Sequence, residues 1–226
     1  MKPIERLGIG RLFFNKGLYQ YHDALYVAMD ELRRSGLVGS VSFVTRNVSP
    51  VDNARETAIE ELFALGLDAM VWIDTDLIIP PDALVRLVRM SNAGYPIAGG
   101  LYRRAMHKPE EQIILTRLVD VPGWATLDAL RERAQGGVTE VALTAGGFTI
   151  VRREVYEVLE QTTGRPWYAC YDAEAGDWPI EDTYFFRRVA RAGIPVHVDP
   201  ELHAVHWSHF GPVPVTPDAP EMAACL

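Results

Sequence analysis

The sequence predicts an α/β fold built on a largely parallel sheet in its N-terminal half, and three observations carry that expectation. Short β-branched or aromatic runs alternate with amphipathic helical spacings from Leu18 to Ala98. One run, Ala69 to Ile73, is apolar at every position, as a central strand covered by helices on both faces must be. The chain has 226 residues, 48% of them hydrophobic and 23% charged, which suits one large domain with its own core.

The elements follow in order. Leu18, Tyr21, Leu25, Met29 and Leu32 recur at spacings of three and four and place a helix over Leu18 to Arg34, stopped by Gly36. Val41 to Thr45 reads as a strand between Gly39 and Asn47. Ser49, Pro50 and Asp52 read as an N-cap, a first-turn proline and an N3 acid, opening a helix through Ala58, Ile59, Leu62 and Leu65 that Gly66 closes. After Ala69 to Ile73, Pro80 and Pro81 start a helix with Leu84, Val85, Leu87 and Val88 on its apolar side, and Pro96 to Ala98 forms a short strand. The second half is mixed: strands at Gln112 to Leu118 and Val138 to Leu143, a helix at Leu127 to Ala134, then Phe148 to Val151 leading into a helix at Glu154 to Gln161. A helix at Glu181 to Ala192 precedes the strand Pro195 to Val198. The proline-rich stretch from Pro212 is expected to be irregular, since proline supplies no ladder donor.

Composition narrows the function classes. The longest apolar run is far short of the roughly 20 residues of a membrane-spanning helix. With no signal-peptide pattern at its start, the chain is expected to be cytoplasmic with no integral membrane segment. A net charge of -8 disfavours nucleic acid as a partner. Cys170 and Cys225 lie far apart, so free thiols are expected rather than a disulfide framework or zinc ribbon.

The most informative stretch is Val71-Trp72-Ile73-Asp74-Thr75-Asp76-Leu77, two carboxylates directly after a buried strand. In open α/β sheets ligands gather beyond the carboxyl ends of the strands. Carboxylate oxygens there suit a hard cation such as Mg²⁺ or Mn²⁺, which also takes oxygens from substrate phosphates. An isolated Asp-x-Asp is equally a solvated loop or a cap for the next helix.

Further motifs occur in a fixed order: Asn53-Ala54-Arg55-Glu56, then the Asp pair, then Pro80-Pro81-Asp82-Ala83-Leu84, Ala145-Gly146-Gly147-Phe148, Trp178-Pro179-Ile180-Glu181-Asp182 and finally Asp199-Pro200 with His206. Over roughly residues 40 to 210 this series resembles the GT-A glycosyltransferases, especially the family 2-like branch. The resemblance implies a nucleotide-diphospho-sugar transferase fold, an α/β/α sandwich with a mostly parallel central sheet. With the length favouring one domain, a single GT-A-like catalytic domain over residues 1–211 is expected, with 212–226 as an irregular tail.

The resemblance also implies roles. Asp76 would bind the metal, Mn²⁺ or Mg²⁺, and Asp74 would contact the donor ribose or reach the metal through water. Asp182 would be the general base that takes the acceptor hydroxyl's proton, giving inversion, with Glu181 binding the acceptor beside it. Both acids also suit a helix N-terminus on dipole grounds alone. Arg55 would contact the donor diphosphate or base, although an arginine on an amphipathic helix is commonly just solvated. Gly100 and Arg103 would line the donor pocket, and Gly146 and Gly147 would allow close backbone approach to donor or acceptor, where an ordinary turn serves equally well. Trp178 is a sugar-stacking candidate on the acceptor side, or simply a packing residue. His206 is the first candidate for a histidine metal ligand and His209 the second. A helical segment would instead group His203, His206 and His209 as a zinc site, whereas an extended one would turn His206 away from the other two.

A UDP-sugar is the first expectation for the donor, with a GDP-sugar the alternative. The acceptor is left open among a glycan, a protein, a lipid-linked intermediate and a small molecule, as is the oligomeric state. Two rival readings start from the same residues. One is a haloacid dehalogenase-type phosphatase with Asp74 as nucleophile, which would want a later lysine where the only one downstream is Lys108. The other is a non-catalytic sugar-nucleotide-binding module.

Overall fold

The computed structural model describes residues 1–13, 19–47, 50–104, 112–208 and 211–215. The first half runs β1 (Arg6–Phe13), α1 (Tyr19–Ser35), β2 (Ser40–Asn47), α2 (Val51–Ala64), β3 (Ala69–Ile73), β4 (Leu77–Ile78), α3 (Ala83–Asn92) and β5 (Ile97–Leu101). The second half adds α4 (Leu127–Ala134), β6 (Thr139–Val141), β7 (Phe148–Arg152), α5 (Arg153–Thr163), α6 (Glu181–Arg191), β8 (Val196–His203), β9 (Val205–Ser208) and β10 (Gly211–Val213). Seven strands form the central sheet in the order β2-β1-β3-β7-β5-β8-β6. Five of them share one direction, while β7 runs antiparallel to both β3 and β5, and β6 antiparallel to β8.

Period-two alternation explains the layers. On β3, Ala69, Val71 and Ile73 join the core under α1 and α3, which supply Tyr21, Leu25 and Leu84 among others. Met70 and Trp72 point the other way, into the core shared with α2, α5 and α6 through residues such as Ile59, Tyr156 and Phe185. Every residue of β3 is buried, which accounts for its unbroken apolar run.

The strand β1, absent from the sequence reading, lies beside β3 with Gly8 opposite Met70 and Gly10 opposite Trp72. A Cβ on Gly10 would stand 2.5 Å from the Trp72 ring, and one on Gly8 2.9 Å from the Met70 sulfur. Those glycines make room for large neighbours, and in doing so erase the apolar alternation that marks a strand.

Several expectations are corrected. Gln112 to Leu118 forms no strand; it meets the fold through single bridges, Ile114 to Arg103 and Arg117 to Leu143, while Ile114, Thr116 and Leu118 are buried beneath it. At the start of α2, Pro50 itself is the N-cap, without a side-chain cap. The Asp52 carboxylate accepts from Cys170 N at 3.0 Å instead, and Ser49 lies outside the described residues. The strand expected at Pro195 to Val198 continues to His203 through Pro200, where the β5–β8 register shifts between Gly99 and Leu101 and the proline meets no broken ladder. Pro212 lies within β10, on the edge of a second sheet ordered β10-β9-β4, so the start of the expected tail is a strand. Among the described residues no helix is long and apolar enough to cross a membrane.

Candidate functional site

The site lies where β3 ends. Antiparallel pairing sets Ile73 opposite Phe148, so the chain leaving β3 at Asp74 runs beside the segment entering β7 through Gly146 and Gly147, and Asp74 N donates to Gly147 O at 3.0 Å. The first turn of α6 brings Glu181 and Asp182 to the same point. Beneath them lies Arg55, from the second turn of α2, with only 2% of its surface exposed. Its Nε donates to Glu181 Oε1 at 3.3 Å, and its Nη2 stands 3.6 Å from Asp74 Oδ1 and 3.5 Å from Asp182 Oδ1. The guanidinium also lies over Trp72, 4.8 Å from the ring centroid, and over Tyr168 at 5.5 Å. Three carboxylates separated by about a hundred positions thus converge on one buried cation.

Burial opposes the charge on Arg55, but Asp182, Asp74 and Glu181 outweigh it and hold the guanidinium protonated. The carboxylates share one counter-charge among three. Desolvation, with the charges of Asp76, Asp182 and Glu181, overcomes the pull of Arg55 and pushes Asp74 up to about 7. Desolvation and Asp182 likewise raise Glu181 against the same pull.

The glycine pair is what lets two of these acids pack so closely. Gly146 N donates to Asp182 Oδ2 at 2.9 Å, and a Cβ on Gly146 would fall 2.2 Å from Asp182 Oδ1. A Cβ on Gly147 would fall 1.9 Å from Asp74 Oδ2. The expected contact of these glycines with donor or acceptor is therefore corrected: the space they free is filled by the carboxylates. Gly100 is corrected too, because its Cβ would strike Phe148 at 2.3 Å and Leu202 O at 2.7 Å, inside the sheet. Arg55, expected at the donor or in solvent, is instead the buried support of the acids.

The outer part of the site is built by the second sheet. Leu77 of β4 pairs with His206 of β9, and Trp207 N donates to Asp76 O at 2.7 Å. This register sets His206 Nε2 3.1 Å from Asp76 Oδ2. On the other side of the ring, Nδ1 donates to Arg103 O at 2.9 Å, so Nε2 of the neutral imidazole carries the lone pair. A lone pair facing a carboxylate oxygen at that distance calls for a proton or a metal ion between them. Burial lowers the basicity of His206, but its hydrogen bond to Asp76 and that carboxylate's charge leave it raised above its ordinary value. The Asp76 side chain is 52% exposed, open to an incoming ligand. Oxygen and imidazole donors fit Mn²⁺, with water or phosphate oxygens filling the remaining positions. Among the described residues no three His, Cys, Asp or Glu side chains are grouped to hold an ion.

His203 and His206 lie on extended chain, which removes the helical three-histidine zinc arrangement. His203 is occupied with Pro200 O. The alternative ligand His209 lies outside the described residues, as do Lys108 and Cys225, while Cys170 is a free thiol. Arg103 contributes its carbonyl to His206. Trp178 is 80% exposed, so it is not a core packing residue. Asp177 is gripped through both oxygens by Arg187, at 2.7 and 2.8 Å.

Sequence reasoning missed four neighbours of the site. Tyr168 lies under Arg55, and Tyr102 meets the His206 ring edge-on at 5.4 Å. Tyr171 pairs with Trp178, and Arg187 ties the loop that carries both. The adjacency of Tyr102 to Arg103 and of Tyr171 to the Trp178 segment was the only available signal.

No protein-family model and no curated protein matches the chain. Among solved structures, the crystal structure of A197 from STIV matches 91% of this chain and 87% of its own, with a TM-score of 0.61 and 19% identity. The likeness is one of fold. The chain's own seven-stranded mixed sheet and its helices are compatible with an α/β sandwich.

Proposed function

We propose that the chain is a metal-dependent glycosyltransferase of GT-A type, moving a sugar from a nucleotide-diphosphate donor, UDP-sugar first, to an acceptor hydroxyl with inversion. The observation that carries this reading is the convergence of Asp74, Glu181 and Asp182 on Arg55, beside an open Asp76–His206 pair. Asp76 and His206 would hold Mn²⁺ or Mg²⁺. Such an ion, when bound, stabilises negative charge on the departing diphosphate without a proton transfer.

The protein's own groups do the rest. Asp182 takes the acceptor proton on its carboxylate, which Gly146 N–H fixes through Oδ2 at 2.9 Å and which Arg55 faces from the buried Oδ1 side at 3.5 Å. Glu181, whose pKa desolvation and Asp182 raise against the pull of Arg55, stands beside Asp182 to hold the acceptor. Asp74, pushed up to about 7, is suited to exchanging hydrogen bonds with a ribose hydroxyl in either charge state. Arg55 keeps the three acids together without touching substrate.

The test is a donor screen read by mass spectrometry, with and without Mn²⁺. Release of the nucleoside diphosphate only with the metal, from one or a few sugar nucleotides, is the expected result. Phosphate release from small phosphoesters with no sugar transfer would replace this reading with the phosphatase one, and donor binding without turnover would replace it with the binding module.

A further inference from the structure

The loop between α5 and α6 carries an exposed aromatic surface of definite construction. Asp172 and Asp177 pair as an antiparallel bridge, with Asp172 N donating to Asp177 O at 3.0 Å and Gly176 N to Asp172 O at 2.8 Å. The next residues outward on the two strands of this small hairpin are Tyr171 and Trp178. Their rings lie with centroids 4.7 Å apart and planes inclined at 44°, a shallow V rather than a flat stack. Tyr171 is 46% exposed and Trp178 80%.

Surface aromatics of this size are ordinarily free to move, but these are held. Arg187, one and a half turns into α6, binds both Asp177 oxygens and reaches Asp172 Oδ2 at 3.3 Å. Asp172 Oδ1 accepts from Glu174 N and Ala175 N, and Cys170 N is bonded to Asp52 on α2. The loop is therefore tied at one end to the helix that bears Arg55, and at the other runs directly into Glu181 and Asp182.

The chemistry of the surface narrows its occupant. A nucleic acid needs unpaired cations for its phosphates, and on this loop Arg187 is taken up by Asp172 and Asp177 and Arg191 by Glu174 and Asp172. An extended lipid chain needs a continuous apolar groove, and this loop offers two rings among acids. A neutral sugar ring fits two rings set in a frame of paired charges: its C–H face packs on the aromatic rings and its hydroxyls stay toward solvent.

Resting on the transferase reading, we infer that Tyr171 and Trp178 form the acceptor platform, that the acceptor is a neutral glycan or glycoside, and that Arg187 is the positioning residue that keeps the two rings in place. The platform binds its sugar without donor or metal, so it can be tested apart from transfer.

The experiment titrates cellotriose, chitotriose and maltotriose into the full chain without nucleotide or Mn²⁺, reading the heat of binding by calorimetry. At least one trisaccharide is expected to bind. Trp178→Ala should weaken it by about tenfold or more and Trp178→Phe by less. Arg187→Met should weaken it about threefold and lower the tryptophan anisotropy, and it should leave the anisotropy unchanged when added to Trp178→Ala, a mobility change that loss of a remote ion pair would not give. Binding that survives Trp178→Ala unchanged, or no binding of any trisaccharide, or binding of oligonucleotides or lipid vesicles in their place, overturns the inference. Transfer to some acceptor with Trp178→Ala fully active would remove the platform and leave the transferase standing. Trisaccharide binding lost in Trp178→Ala, with no transfer from any donor, would do the reverse.

Discussion

The inner and outer halves of the site use the same side chain, aspartate, in opposite surroundings. Asp182 and Asp74 are seated against glycine Cα atoms and share a guanidinium that is almost wholly buried. The Asp76 carboxylate stands half in solvent, and its hydrogen-bond partner among the described residues is an imidazole. The inner half is a fixed charge arrangement whose parts depend on one another for their place; the outer half is open to solvent. In the proposed reading, environment and not residue type separates scaffold and base from metal ligand.

The strongest way to break that contrast is Asp182→Asn, which should lower kcat by roughly 10²–10⁴-fold by removing the base, with donor binding preserved in calorimetry. Undiminished transfer would take the base away from Asp182. Next, Arg55→Met leaves the three acids without their counter-charge and should cost roughly 3–5 kcal/mol, a fall in Tm on the order of 10 °C in thermal denaturation. A variant as stable as the parent would mean that the inner half is not held by this cation. Gly147→Ala should cost about 1–3 kcal/mol by overpacking and should weaken donor binding by displacing Asp74. An unchanged Kd in this variant would uncouple Asp74 from the donor.

The smallest effect is a pH dependence. Asp74 has an ordinary value of 3.8 and is pushed up to about 7 in the fold, so between those limits the folded chain binds more protons than the unfolded one. Its contribution to stability is full below about 4, declines as pH rises, and is lost above about 7. The Tm of the metal-free protein should fall across that window, and Asp74→Asn should flatten the slope. A Tm that rises with pH there and is indifferent to Asp74→Asn would contradict the assignment.

Much of this was legible in the chain because local signals agreed with the fold. Ala69 to Ile73 and Leu127 to Ala134 are found with the boundaries their patterns suggest, since burial on both faces and a Thr126 N-cap at 3.2 Å from Ala129 N leave few alternatives. The acids after β3 and before α6 were also readable, as was the histidine that follows the last long strand. What could not be read is whatever depends on a neighbour distant in sequence. Gly8 and Gly10 look like turn residues until Met70 and Trp72 are set beside them. Arg55 looks like a surface arginine until three acids from two other segments close over it. Gln112 to Leu118 has strand composition but finds no strand to pair with, so its apolar side chains are buried as irregular chain.

The central claim is that Asp76 and His206 wait for a cation that then holds the donor's diphosphate. Calorimetric titration of UDP into the protein, with and without Mn²⁺, tests it most directly. UDP should bind tightly only when Mn²⁺ is present, and Asp76→Asn should abolish that difference; equal binding with and without the metal, or Mn²⁺-dependent binding that persists in Asp76→Asn, would contradict it.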